Sequence, residues 1–141
     1  MSRSEQILLP APFASAMVQH AQSELPNECC GVMTGVREGD VFRILKVHPL
    51  ENEAASPIEY RSEYGMFLVE KDLRRLGHDI LAIYHSHPTS APIPSRTDLE
   101  RAYSPDVVHF IIGLNGPEPI LRGWWLTETA FEEAAWRIVD A

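Results

Sequence analysis

Two histidines separated by one residue stand in the segment HSHP (85–88), at the end of an apolar, β-rich run, DILAIYH (79–85). Residues two apart on a strand point to one face, so His85 and His87 can aim their imidazoles at a common point. Neutral imidazole is a good zinc ligand, and a strand end holds it rigidly. An H-x-H pair alone is a weak signal, because two unrelated histidines near a turn look the same. A second pattern, Ser95-x-x-Asp98, follows six residues after HSHP. S-x-x-D is also a helix N-cap, with Ser95 capping and the acid reaching back. Yet Asp98 lies one short loop beyond the histidines and would complete a His₂Asp set. Three protein ligands with a fourth position open to water is the pattern of catalytic zinc, whereas structural sites are closed by four. Ser95 could cap the helix and still turn its hydroxyl toward a substrate. Glu28, in LPNECCG (25–31), is locally an unremarkable surface carboxylate at an element boundary. A hydrolytic zinc site also needs a carboxylate to take a proton from water, and Glu28 has the right chemistry.

These residues need elements to position them. QILLP (6–10) reads as a short strand, and residues 12–25 as a helix with Ala14, Val18, Ala21 and Leu25 on one face and Pro12 in its first turn. CCGVMTGV and VFRILKV flank REGD, a hairpin signal. Residues 62–76 form the clearest helix, striped by Met66, Val69, Leu73 and Leu76 and stopped by Gly77. The strand carrying the histidines follows, then the Pro-rich loop HPTSAPIPS (87–95), which reads as an ordered loop at a site, then a helix from Ser95 to Tyr103. VVHFIIGL (107–114) reads as a buried central strand, NG (115–116) as a turn, and PILRGWWLT (119–127) as the returning strand. Trp124 and Trp125 read as core and surface of that strand. In AFEEAAWRIV (130–139), Phe131, Ala134, Ala135, Ile138 and Val139 match a helix, and a terminal edge strand is equally open. The order of elements implies one three-layer α/β or α+β domain over residues 1–141.

Glu28, then HSHP, then six residues, then Ser95-x-x-Asp98 resembles the signature of the JAMM/MPN+ (Mov34/MPN/PAD-1) metallopeptidases. The resemblance spans nearly the whole chain, from the first helix to the GWW strand. NEAASPIEY (52–60) and IYHSHPTSAPIPSRTDLERA (83–102) are most similar to short, stand-alone prokaryotic members that release cysteine from a ubiquitin-like sulfur-carrier protein. The resemblance implies a central curved mixed β-sheet flanked by helices, related to the cytidine deaminase architecture, and it favours a strand for 130–139. It implies Zn2+ held by His85, His87 and Asp98, Glu28 as general base and Ser95 as oxyanion donor. It implies cleavage after the carrier's C-terminal Gly, with the tail added as an extended strand and Asn52 and Ala55–Pro57 near its groove. The insertions of eukaryotic deubiquitinating relatives are missing, so polyubiquitin is not the expected substrate.

Composition narrows the classes. A chain of 141 residues, 45% hydrophobic and 23% charged, has the make-up of one globular domain. Twenty acidic against 12 basic residues give a net charge of −8, which disfavours nucleic acid as a partner. The basic run KDLRRLGH (71–78) reads as the solvated side and C-terminal turn of a helix. No apolar run is long enough to span a bilayer and no signal peptide is visible, so a cytoplasmic protein is expected. The adjacent Cys29 and Cys30 suit neither a disulfide nor a zinc site of their own, and at least one is expected to be buried. His20, His48, His78 and His109 lack ligand spacing and are not expected to bind metal. The rival readings are an inactive MPN interaction scaffold, a JAMM peptidase for ubiquitin-like conjugates or cell-wall peptides, and a nucleobase deaminase. The last lacks its H-x-E and C-x-x-C.

Overall fold

A computed structural model describes residues 6–100 and 105–140. In chain order the elements are β1 (Gln6–Pro10), α1 (Ala11–Ser23), β2 (Cys30–Glu38), β3 (Val41–Leu50), α2 (Glu63–Leu76), β4 (Asp79–His87), α3 (Arg96–Glu100), β5 (Val108–Gly113), β6 (Ile120–Leu126), β7 (Phe131–Glu133) and β8 (Trp136–Val139). The strands form one mixed sheet in the order β7-β6-β5-β4-β2-β3-β1-β8. The α+β class and the central sheet expected from the sequence are therefore observed.

Hydrophobic patterning explains the layers. All six residues of β5 are buried, as a continuous apolar run between two neighbouring strands demands. One face of the sheet carries Met33, Ala82, Tyr84, Phe110, Ile112 and Trp125 against Ala14, Met17 and Ala21 of α1. The other face carries the row Leu50, Cys30, His85, Ile111, whose members sit opposite one another on β3, β2, β4 and β5. On that face Leu99 of α3 packs against Ile111, Trp124 and Leu126, while α2 lies beside β3.

The pairing of β4 with β5 is parallel. Parallel neighbours need a crossover of a dozen or more residues, and here the crossover contains the Pro-rich loop and α3. It leaves from the end of β4, so the chain after His87 must come back over the sheet.

Two local expectations are corrected and two are refined. Leu25 is not on the helical face: α1 ends at Ser23, and Leu25 is 48% exposed. A residue before proline is pushed out of the α region, and Leu25 precedes Pro26; Met17 takes the buried place instead. In α2 only Val69 is fully buried, because the helix rests on the sheet margin; Met66, Leu73 and Leu76 are half-buried. Gly77 does stop it, with φ 68° and its N–H on Leu73 O. Trp125 is no surface residue; both tryptophans are buried, one on each side of the sheet. The expected helix from Ser95 is described to Glu100, and its last residues lie outside the described ones.

Within residues 130–139, β7 and β8 are strands rather than a helix, and they close the sheet. Ala134 N–H bonds Gly123 O on β6, and the next residue, Ala135, accepts from Ile7 N–H on β1. Those partners lie near opposite ends of the strand order, so the sheet must curl until its edges meet. Cys29 and Cys30 are buried and free. No described helix is long and apolar enough to cross a membrane.

Candidate metal centre

His85 and His87 sit at the C-terminal end of β4, both buried, on the face that holds Ile111. Their Nε2 atoms are 3.3 Å apart. Asp98 Oδ1 lies 3.1 Å from His85 Nε2, and Asp98 Oδ2 lies 3.1 Å from His87 Nε2. Among the described residues these three form the one His/Cys/Asp/Glu group of metal-ligand spacing. The spacing can be tested against a tetrahedral zinc ion: donors about 2.0–2.1 Å from the ion must be about 3.3 Å from one another. The two Nε2 atoms meet that requirement, and the Asp98 carboxylate brings a different oxygen to within 3.1 Å of each histidine.

The tautomer of His87 fits as well. His87 Nδ1 is 2.8 Å from Ala91 O. A carbonyl only accepts, so Nδ1 carries the proton and Nε2 keeps its lone pair for the shared centre. The ring of His85 stacks on Tyr60, with centroids 4.7 Å apart and planes 23° from parallel. Burial works against ionisation of Asp98, yet its two histidines and the Ser95 N–H hold its carboxyl well below the ordinary range. Burial would also lower His87, but its bonds to Asp98 and Ala91 raise it overall. A buried carboxylate between two imidazoles gathers positive charge, as protons or as a cation.

The crossover delivers Asp98 by three anchors. Trp124 Nε1–H donates to Pro92 O at 3.0 Å. Gly113 lets Pro92 lie against β5, since a Cβ there would stand 2.6 Å from its ring. Leu99 then pins α3 to the sheet. Ser95 and Asp98 form the reciprocal capping pair: Ser95 N–H donates to Asp98 Oδ2 at 2.9 Å, and Asp98 N–H to Ser95 Oγ at 3.1 Å. Capping and metal geometry are thus satisfied by the same residues. Ser95 is exposed, and its Oγ acts here as acceptor, which leaves its hydroxyl proton to be donated outward.

Glu28 is 3% exposed, and its Oε1 is buried with no hydrogen-bond partner among the described residues. Cys30 pairs with His85 in an antiparallel ladder, so the register continued backward sets Glu28 opposite His87. Ser86 fixes that alignment, with Oγ accepting from Cys29 N–H and its own N–H on Cys29 O. Burial, with Asp98 and Glu59 nearby, pushes the Glu28 carboxyl up from 4.5 to about 8, against an opposing pull from His87. All five residues singled out from the sequence therefore gather in one place. Their supports were not singled out: Ser86, Trp124 and the carbonyl of Ala91 have no motif, and Tyr60 was quoted only within a longer segment. The remaining histidines are engaged elsewhere, His20 with Tyr84 and both His48 and His78 with Thr34.

Fold and site together define a class, an α+β protein with three residues that could hold a metal ion beside a buried carboxyl. Residues 10–127 match the model of the prokaryotic homologs of the JAB domain, and the chain belongs to that family. It is 34% identical over 120 residues to a desampylase of Haloferax volcanii, covering 80% of this chain and 84% of the relative. It is 31% identical over 136 residues to the CysO-cysteine peptidase of Mycobacterium tuberculosis, covering 95% and 92%. Among solved structures, a Desulfitobacterium hafniense protein superposes with a TM-score of 0.87 at 30% identity, covering 96% of this chain and 94% of that one. The family inferred from Glu28, HSHP and Ser95-x-x-Asp98 is thus the family found. The relatives' names make hydrolase the class of activity that the likeness supports.

Proposed function

We propose that this chain is a zinc-dependent peptidase that cleaves the amide after the C-terminal glycine of a ubiquitin-like protein, releasing cysteine or a conjugated amine. The observation that carries the reading is the convergence of His85, His87 and Asp98 at metal-ligand spacing beside the buried carboxyl of Glu28, whose Oε1 has no hydrogen-bond partner among the described residues. The names of the relatives, a desampylase and a CysO-cysteine peptidase, support the substrate class.

His85, His87 and Asp98 would hold the ion. When bound, zinc supplies Lewis acidity, which brings the ionisation of water toward neutral pH and polarises a carbonyl. Glu28 accepts the proton of the attacking water and returns it to the departing amine. Its burial suits both halves, because a carboxyl of raised pKa both takes and gives a proton near neutrality. The Ser95 hydroxyl donates to the oxygen that gains charge, a contribution worth about 100- to 1000-fold in rate for such a donor. The exposed Ala55 and Pro57 offer a rim for the flexible carrier tail, whose main chain binds as an added strand.

The test is direct. The zinc-loaded protein is incubated with carrier–cysteine and carrier–lysine conjugates, and release is followed by mass spectrometry. The proposal expects cleavage after the terminal glycine, and expects His87→Ala to lose both the metal and the activity. Full zinc occupancy in His87→Ala would remove that ligand from the scheme, and no cleavage of either conjugate would remove the substrate class.

A further inference from the structure

The loop from Glu51 to Ser62, between β3 and α2, reaches the site from the side opposite the Pro-rich loop. Its geometry is fixed by one side chain. Asn52 Nδ2 donates to Glu28 O and to Glu59 O, each at 3.0 Å. Asn52 Oδ1 accepts from Ala54 N–H at 3.0 Å and from Arg61 N–H at 3.1 Å. Glu59 O and Arg61 N belong to the residues on either side of Tyr60, whose ring stacks on His85. Glu28 O belongs to the residue whose carboxyl stands beside the metal donors. A single carboxamide therefore grips the peptide of Glu28 and both peptides flanking the residue that lies on His85.

Two further features belong to the same clamp. Glu28 N–H donates to Ser56 O at 2.9 Å, so the loop holds Glu28 by both its N–H and its carbonyl. Ala55 has φ 46°, a left-handed conformation that a residue with a Cβ adopts at a cost. Such strain persists only where surrounding bonds over-determine the backbone. Here Asn52 O accepts from Ala55 N–H at 3.0 Å while its side chain holds Ala54. Both ends of the Asn52 carboxamide are spent on this backbone, so it supports the groove rather than lining it.

We infer that Asn52 is a positioning residue for the reaction: it sets the place of the Glu28 carboxylate and, through Tyr60, the ring plane of His85. This rests on the peptidase reading above for its kinetic readout but not for its structural one. Asn52→Asp is the sharp variant, because it keeps the acceptor for Ala54 and Arg61 and removes the donations to Glu28 O, Glu59 O and, at 3.5 Å, Ser56 O. Glu53→Gln is the control. Glu53 accepts from Glu63 N–H and Tyr64 N–H at the start of α2, and touches no site residue among these contacts.

The experiment measures kcat and KM of zinc-loaded protein on a ubiquitin-like protein ending in Gly-Gly-Cys, the zinc content, and amide hydrogen exchange at Glu28. For Asn52→Asp the expected result is a kcat lower by about 10- to 100-fold, with KM and zinc content close to the parent's and exchange at the Glu28 amide accelerated. For Glu53→Gln it is a lower Tm with kcat unchanged. Parent-like kcat in Asn52→Asp, a loss of kcat that only tracks lost zinc, or unchanged exchange at Glu28 would each overturn the inference. If the parent itself does not cleave the conjugate, the peptidase reading fails, and the exchange result alone decides the role of Asn52.

Discussion

At the scale of residues, function and stability pull Glu28 in opposite directions. A buried carboxyl whose pKa rises from 4.5 to about 8 binds a proton more tightly in the folded than in the unfolded chain. Its contribution to stability is whole below about pH 4.5, shrinks as pH rises through the window, and is lost above about pH 8. In metal-free protein, Glu28→Gln is therefore expected to melt higher than the parent at pH 8 and by a much smaller margin at pH 5, measured by thermal unfolding in both buffers. An equal difference at the two pH values would mean that Glu28 is not held in a protonating environment. The same substitution in zinc-loaded protein should cost about 100- to 10,000-fold in turnover, the usual worth of a general base. The residues with chemistry were legible in the sequence because their type and spacing are the requirement: strand periodicity alone aims His85 and His87 together. Asp98 was legible only as one of two things, cap or ligand, and the structure has it acting as cap at ligand spacing. Asn52 and Tyr60 were illegible as supports, since nothing local tells which distant carbonyl or ring a side chain will meet.

At the scale of elements, the site is a consequence of the parallel pairing of β4 and β5. The crossover between them starts at the ligand-bearing strand end, crosses the face that carries His85, and is pinned by Trp124, Pro92, Gly113 and Leu99. Gly113→Ala tests that mechanism without touching a metal donor. The new Cβ would meet the Pro92 ring, displacing the loop whose Ala91 carbonyl fixes the His87 tautomer. Losing an outer partner of a metal-ligating histidine typically costs about 10- to 100-fold in affinity, so zinc affinity measured by competition with a chelator should fall by that order. Parent-like affinity in a folded Gly113→Ala variant would mean that the loop does not set the ligand. Strands and helices with strong period were legible: the hairpin at REGD, the buried run of β5 and the Gly77 stop all stand where their residues put them. Leu25 and Trp125 were misplaced for different reasons. Pro26 ends the helical period before Leu25, while Trp125 packs in the main core against Phe42, a partner from far along the chain.

At the scale of the whole molecule, the C-terminal strands explain both the curl of the sheet and why the sequence left them undecided. β7 and β8 have three and four residues, too few for a period to mark. Their identity comes from the pairing each makes, β7 with β6 and β8 with β1, at the two ends of the strand order. Only tertiary structure contains that information. The curled sheet buries Cys30, His85 and Ile111 of one cross-strand row, which places the candidate metal ligands inside the fold. The central claim, that this molecule uses the site to add water across an amide at a glycine terminus, is best tested with isotopically labelled water. Zinc-loaded protein is given a ubiquitin-like protein–cysteine conjugate in ¹⁸O water, and the new glycine carboxylate is weighed by mass spectrometry beside chelated protein and Glu28→Gln. One labelled oxygen per cleaved bond in the zinc-loaded parent, with no cleavage after chelation and cleavage at least about 100-fold slower in Glu28→Gln, is the predicted result. Cleavage that persists after chelation, or that leaves the carboxylate unlabelled, would contradict it.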